Sequence, residues 1–146
     1  MHLEIRHTES EGVTIVSLKG RVVLGPEDLA LRQWLQSLQD GGRKNVIVNL
    51  GAVTDIDSAG VGTLVVCAEK FQKAGGKLVL LNVVPTHTKL TSALQLDIAF
   101  ETYSAEQDAI NSFFPDRAVR RYDILEFVEE RELSPKPEGA PGKKNP

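Results

Sequence analysis

Along the first third of the chain the apolar residues keep a period of two and then change to a helical one. Leu3 and Ile5 alternate with charged neighbours, and Val13, Ile15 and Leu18 resume the alternation beyond Glu9-Ser10-Glu11-Gly12. Alternation interrupted by a polar turn predicts an antiparallel hairpin. Gly20-Arg21 breaks the run before Val22-Val23-Leu24. Gly25-Pro26-Glu27-Asp28 then predicts a helix start, with proline in the first turn and acids where the positive end of the helix dipole lies. Leu31, Trp34, Leu35 and Leu38 form its buried stripe, and Asp40-Gly41-Gly42 ends it. At stripe spacing Trp34 reads as core rather than as a ligand platform.

The stretch from Val46 to Ala74 organises the rest. Val46, Ile47, Val48 and Leu50 make a near-continuous apolar run, as expected of a parallel strand buried on both faces, with Gly51-Ala52-Val53-Thr54 leading away from it as a loop. Asp57 or Ser58 supplies an N-cap. Val61, Leu64, Val65, Ala68 and Phe71 or Gln72 then follow helical spacing, so that Ser58, Gly62, Val66 and Glu69 fall on the opposite face. That outer face begins with a serine and is almost uncharged. Gly75-Gly76 closes the helix, and Leu78-Val79-Leu80-Leu81 predicts a strand parallel to the first, because strand–helix–strand crossovers are almost always right-handed.

Beyond it, Thr86 caps a short helix carrying Leu90, Ala93 and Leu94, and Ile98 to Thr102 form a last strand. Ser104-Ala105-Glu106-Gln107 reads as a capping box into Ala109, Ile110 and Phe113. The prediction is an α/β domain over residues 1–114, with a mixed sheet of four to five strands and about four helices. Residues 115–133, with Tyr122, Ile124, Leu125, Phe127 and Val128, carry a weak helical pattern, and residues 134–146, rich in proline and glycine, are expected to be disordered.

Composition narrows the function. A chain of 146 residues with 41% hydrophobic content supports one core, and a net charge of −3 with scattered Lys and Arg leaves no footprint for nucleic acid. The single cysteine, Cys67, excludes an internal disulfide and reads as a buried thiol. No signal peptide or membrane-spanning run is visible at the start, so the expected setting is cytoplasmic, without direct membrane insertion.

Several kinds of chemistry fail on the residues. Asp55-Ile56-Asp57 has the two carboxylates of a phosphotransferase, but a nucleophile of that kind belongs at the very end of a buried strand, and the expected loop intervenes. Both acids read better as loop and cap residues. Gly60-Val61-Gly62 lacks the further glycine or Gly-Lys-Ser/Thr of a phosphate loop. Ile56 stands where a hydrolase nucleophile elbow needs glycine, and His2, His7 and His87 have no metal-ligand spacing. The chain reads as a non-enzyme without cofactor or metal. What stays distinctive is the small-residue cluster of Ser58, Ala59, Gly60 and Gly62, which suits either tight packing of helix on sheet or close approach of another protein. Both readings can hold, at different glycines.

Asp57-Ser58-Ala59-Gly60-Val61-Gly62, placed after an apolar strand, resembles the phosphorylatable Asp-Ser-(Ser/Ala)-Gly-(Leu/Val)-Gly turn of STAS-domain anti-sigma factor antagonists, over about residues 1–114. The resemblance implies that Ser58 is the phosphorylated residue. It further implies that the unphosphorylated protein sequesters an anti-sigma factor through Asp55, Asp57, Ser58, Ala59, Gly60, Gly62 and Val66. That anti-sigma factor would be a serine kinase using ATP and Mg²⁺, and a serine phosphatase would reset phospho-Ser58. The family usually has glycine near position 95, where this chain has Gln95. The alternative is a STAS-type accessory subunit of a lipid or anion transport system, docking constitutively, with Ser58 only a cap.

Overall fold

In a computed structural model of the protein, residues 3–83, 96 and 99–115 are described. The chain divides into two units, Met1–Ile110 and Asn111–Pro146, the first ending within the last helix. Strand β1 (Leu3–Ser10) turns into β2 (Val13–Val22), helix α1 (Pro26–Asp40) leads to β3 (Asn45–Ile56), and α2 (Ser58–Lys73) leads to β4 (Lys77–Leu81). Strand β5 (Thr102–Tyr103) precedes the short helix α3 (Glu106–Asn111). The strands lie side by side in the order β1-β2-β3-β4-β5, with β1 antiparallel to β2 and all other pairs parallel.

The hairpin register pairs Ser10 with Val13 across a two-residue turn. Glu11 and Gly12 both take positive φ, 55° and 81°, as the type I′ turn that matches strand twist requires. One face of the sheet packs on α1 and α2: Val16, Leu18, Val22, Val46, Val48, Val53 and Ile56 meet Leu31, Leu35, Leu38, Leu64, Cys67 and Phe71 in one buried cluster. At about 25 cal/mol per Å² of apolar area removed from water, this cluster is the main source of stability. Phe71, not Gln72, takes the inward position at the end of α2. On the other face Val13, Ile15, Ile47, Val79 and Leu81 are buried as well, which is why β3 and β4 read as continuous apolar runs.

Three boundaries differ from the expectation. Gly20-Arg21 does not break β2; register shifts between Ser17 and Lys19 and between Gly20 and Arg21 absorb the irregularity, and pairing continues to Val22↔Ile56. Nor do Gly51–Thr54 form a loop. They lie inside β3, because the lengthened β2 pairs Lys19 with Ala52 and Gly20 with Val53, and Val53 and Ile56 bury on the helix side. At the branch, Asn49 Oδ1 accepts both the Gly51 N–H (2.9 Å) and the Asn82 amide (3.1 Å), where β4 turns away from β3. The last strand starts at Thr102 rather than near Ile98, since the Phe100 N–H bonds the Leu96 carbonyl four residues back, a helical pattern. Ile98, the Thr86 helix with Leu90, Ala93 and Leu94, Gln95 and residues 116–146 lie outside the described residues.

Candidate functional site

The extension of β3 carries Asp55 and Asp57 to the very end of the sheet, where the chain enters α2. Asp57 is the N-cap residue, in extended conformation at φ −106°, and its Oδ1 accepts the Gly60 N–H at 3.0 Å. Its Oδ2 accepts the Leu24 N–H at 3.0 Å, and its own N–H donates to the Val22 carbonyl at 3.3 Å. One short side chain thus caps α2 and ties the β2–α1 loop to it. Burial works against ionisation of this carboxyl, but the N–H groups of Leu24, Gly60 and Ala59 outweigh it and hold the group below its ordinary range.

This geometry removes the sequence argument against a catalytic acid pair, since no loop separates the pair from the strand. The structure supplies a different one: both oxygens of Asp57 are committed to backbone donors, and Asp55 faces Arg21, its register partner in β2, at 3.9 Å. Among the described residues, no group of three His, Cys, Asp or Glu side chains converges as a metal site.

The two glycines after Ser58 separate cleanly. Gly60 is buried, and a methyl group there would overlap the Val22 carbonyl oxygen and meet Ile56 Cγ1 and Val22 Cγ1 at 2.8 Å. It is a packing glycine, set against the end of β2 and turned away from solvent. Around Gly62 a methyl group would meet nothing within 4 Å. Ser58, the first residue of α2, is exposed, Ala59 is half-buried, and Gly62, Val66 and Glu69 continue the exposed line along the helix.

Leu24 adds a residue to this surface that sequence reading missed. It is 75% exposed, the largest exposure among the large apolar side chains described, and its backbone is held by the cap of the serine's own helix. Val66 is 38% exposed. Leu24 ends an apolar run, so alternation gave no sign of its exposure; the Gly25-Pro26 that follows, which lifts the chain off the sheet, is the only hint. Behind the surface, Thr63 is fully buried between the helices, donating to Asp28 and accepting from Arg32 at 3.0 Å, so α1 and α2 are joined by a polar link.

Cys67 is buried, as expected, and loss of solvation pushes its thiol up, against smaller opposing effects of Lys70 and Arg32. Trp34 is only half-buried; its indole N–H donates to His7 Nδ1 at 3.2 Å, with the rings edge-to-face. Among the described residues no helix is long and apolar enough to cross a membrane.

A family model described as "STAS domain" matches residues 4–109. No curated protein sequence matches. Among solved structures, a candidate anti-sigma factor antagonist from Thermotoga maritima is similar, with a TM-score of 0.66 at 17% identity over 75% of this chain and 93% of its own. An anti-sigma factor antagonist from Mycobacterium paratuberculosis gives 0.64 at 22% identity over 77% and 94%. The Bacillus cell fate determinant SpoIIAA in its phosphorylated form gives 0.57 at 20% identity over 75% and 98%.

Proposed function

The chain belongs to the STAS domain family, and on that footing we propose that it is an anti-sigma factor antagonist whose binding is switched by phosphorylation of Ser58. Unphosphorylated, it sequesters an anti-sigma factor that is also a serine kinase, and so releases a sigma factor in the cytosol. A serine phosphatase acting on phospho-Ser58 returns it to the binding form. The observation that carries the reading is the placement of Ser58: an exposed hydroxyl at the first position of α2, bordered by open Gly62, Val66 and Leu24. Two similar folds support it, one described as an anti-sigma factor antagonist and the other as a cell fate determinant in its phosphorylated form.

Charge supplies the mechanism. Phosphorylation gives the serine a charge of roughly −1.5 to −2 at neutral pH. Within the domain the helix N-terminus favours that charge by about 0.3–1 kcal/mol, so the fold survives. Against a closely docked partner the dianion must be desolvated. A penalty of about 3–4 kcal/mol weakens binding several hundredfold. The cap itself is untouched, since Asp57 and not Ser58 holds the turn, and the domain need not change shape.

Phosphosite mapping and intact-mass analysis of protein isolated from its native cell, together with identification of what co-purifies, test the reading. Phosphate on Ser58 and a kinase-fold partner are expected. Unmodified Ser58 in every growth condition, with a transport protein as the stable partner, would replace it with the accessory-subunit role.

A further inference from the structure

Strand β1 is an edge strand: among the described residues β2 alone pairs with it, along its whole length from Leu3 to Ser10. Ser10 and Val13 flank the two-residue turn and so form a hydrogen-bonded pair. Alternation along the antiparallel ladder then turns the backbone N–H and C=O groups of Leu3, Ile5, His7 and Glu9 away from β2. The strand contains no proline, lysine or bulge of the kind that commonly guards an exposed edge. Leu3 and Ile5 are half-buried on the helix side, where His7 meets Trp34. Glu4 and Arg6 occupy the other side, 2.8 Å apart, both exposed.

The geometry points to a second copy of this chain as the occupant of that edge, its β1 running antiparallel and centred on Ile5, so that one sheet continues through both copies. The inference does not rest on the switch reading. Charge selects the register. Centred on Ile5, Glu4 stands opposite the partner's Arg6 and Arg6 opposite the partner's Glu4, while Leu3 meets the partner's His7 on the helix side. Centring on Glu4 or on Arg6 opposes two like charges at the axis, and centring on His7 sets Ile5 against the acidic Glu9 of the partner subunit. Only the Ile5 register joins opposite charges on one face and keeps acids off the apolar positions of the other.

The shape beside the edge agrees. A groove of about 570 Å³ lies between β1 and α1, lined by His7, Trp34, Leu38 and Arg43 among others. With Leu3 of the partner subunit opposite His7, an apolar side chain arrives at its mouth. The contact gives each copy cover for residues that its own helices leave half exposed.

Charge reversal tests the register in trans. The mass of the full chain should rise with concentration, from micromolar to millimolar, towards twice the monomer in sedimentation or light scattering. Glu4→Arg and Arg6→Glu, each alone, place like charges in both opposed pairs and should weaken association about tenfold or more. An equimolar mixture of the two variants should associate again, since each reversed position then faces an opposite charge, although neither chain has regained its internal Glu4–Arg6 pair. Circular dichroism should show both variants folded. A wild type that stays monomeric at millimolar concentration, single variants that associate as wild type does, or a mixture that stays monomeric while the wild type associates would each overturn the inference.

Discussion

Asp57 Oδ2 accepts the backbone N–H of Leu24 at 3.0 Å, a bond that spans 33 positions of sequence and sets an exposed leucine beside the start of the serine's helix. The two belong to different connections, β2–α1 and β3–α2. A single carboxylate therefore fixes the relative position of two parts of one surface.

Replacing this carboxylate tests that role. Asp57→Asn keeps one acceptor oxygen but turns an NH₂ group towards the second backbone donor. It should cost about 1–2 kcal/mol in urea unfolding near neutral pH. The pH dependence has a definite sign. A carboxyl whose folded pKa lies below its unfolded value, about 3.9, stabilises fully above that value and loses the contribution as pH falls through the folded one. The gap between wild type and Asp57→Asn should therefore hold steady from neutrality down to about pH 5 and close below about pH 4. A gap that widened on acidification would contradict the depressed pKa.

Gly60 and Gly62 should respond in opposite ways to one added methyl group. Alanine is the better helix former by about 1 kcal/mol, so Gly62→Ala, with open space around it, should be neutral or stabilising. Gly60→Ala drives its methyl into the Val22 carbonyl and should lose about 1–3 kcal/mol despite the same helical gain. Urea unfolding of both variants decides it. Gly62→Leu should leave stability within about 1 kcal/mol of wild type and still impair capture of the partner.

For Ser58, stability and binding should come apart. Ser58→Ala is expected to fold normally, because the cap resides on Asp57, and to bind without being switchable. Ser58→Asp places a negative charge at the helix N-terminus, which favours the fold by about 0.3–1 kcal/mol, while affinity for the anti-sigma partner should fall. Calorimetric titration beside thermal unfolding measures both quantities on one protein. Equal affinity for all three forms would sink the switch.

Cys67 offers a probe of opening. Buried, and with its thiol pushed up, it should react with a disulfide reagent at pH 8 far more slowly than a free thiol of ordinary pKa, about 8.5. Its modification rate should rise with urea in proportion to the open population. Rapid labelling of the native protein would place Cys67 at the surface.

Much of the fold was legible because its signals were local. The Glu11-Gly12 turn, proline opening α1, and the spacing of Leu64, Cys67 and Phe71 each act within a few residues. The length of β3 was not legible, because Ala52 and Val53 find strand partners only in Lys19 and Gly20, 33 positions earlier and beside the register shifts of β2. The same distance hid Leu24, whose backbone N–H is held by Asp57, 33 positions further on. The outward placement of Ser58 was legible because the helical period alone sets it in line with Gly62, Val66 and Glu69, opposite Leu64 and Phe71. Gly60 and Gly62 look alike as letters, and only the nearness of Val22 tells them apart.

The strand order also bears on how the chain is made. Among the described residues each strand from β2 onward lies beside the strand synthesised just before it, so its partner has already left the ribosome when it emerges. The β1–β2 hairpin closes over a two-residue turn, whereas each parallel pair must close over a longer connection, which slows its formation. The β2–α1–β3 unit, paired in parallel from Thr14↔Val46 to Val22↔Ile56, is complete before α2 has emerged, and Asp57 can then lock onto a Val22–Leu24 segment that is already in place.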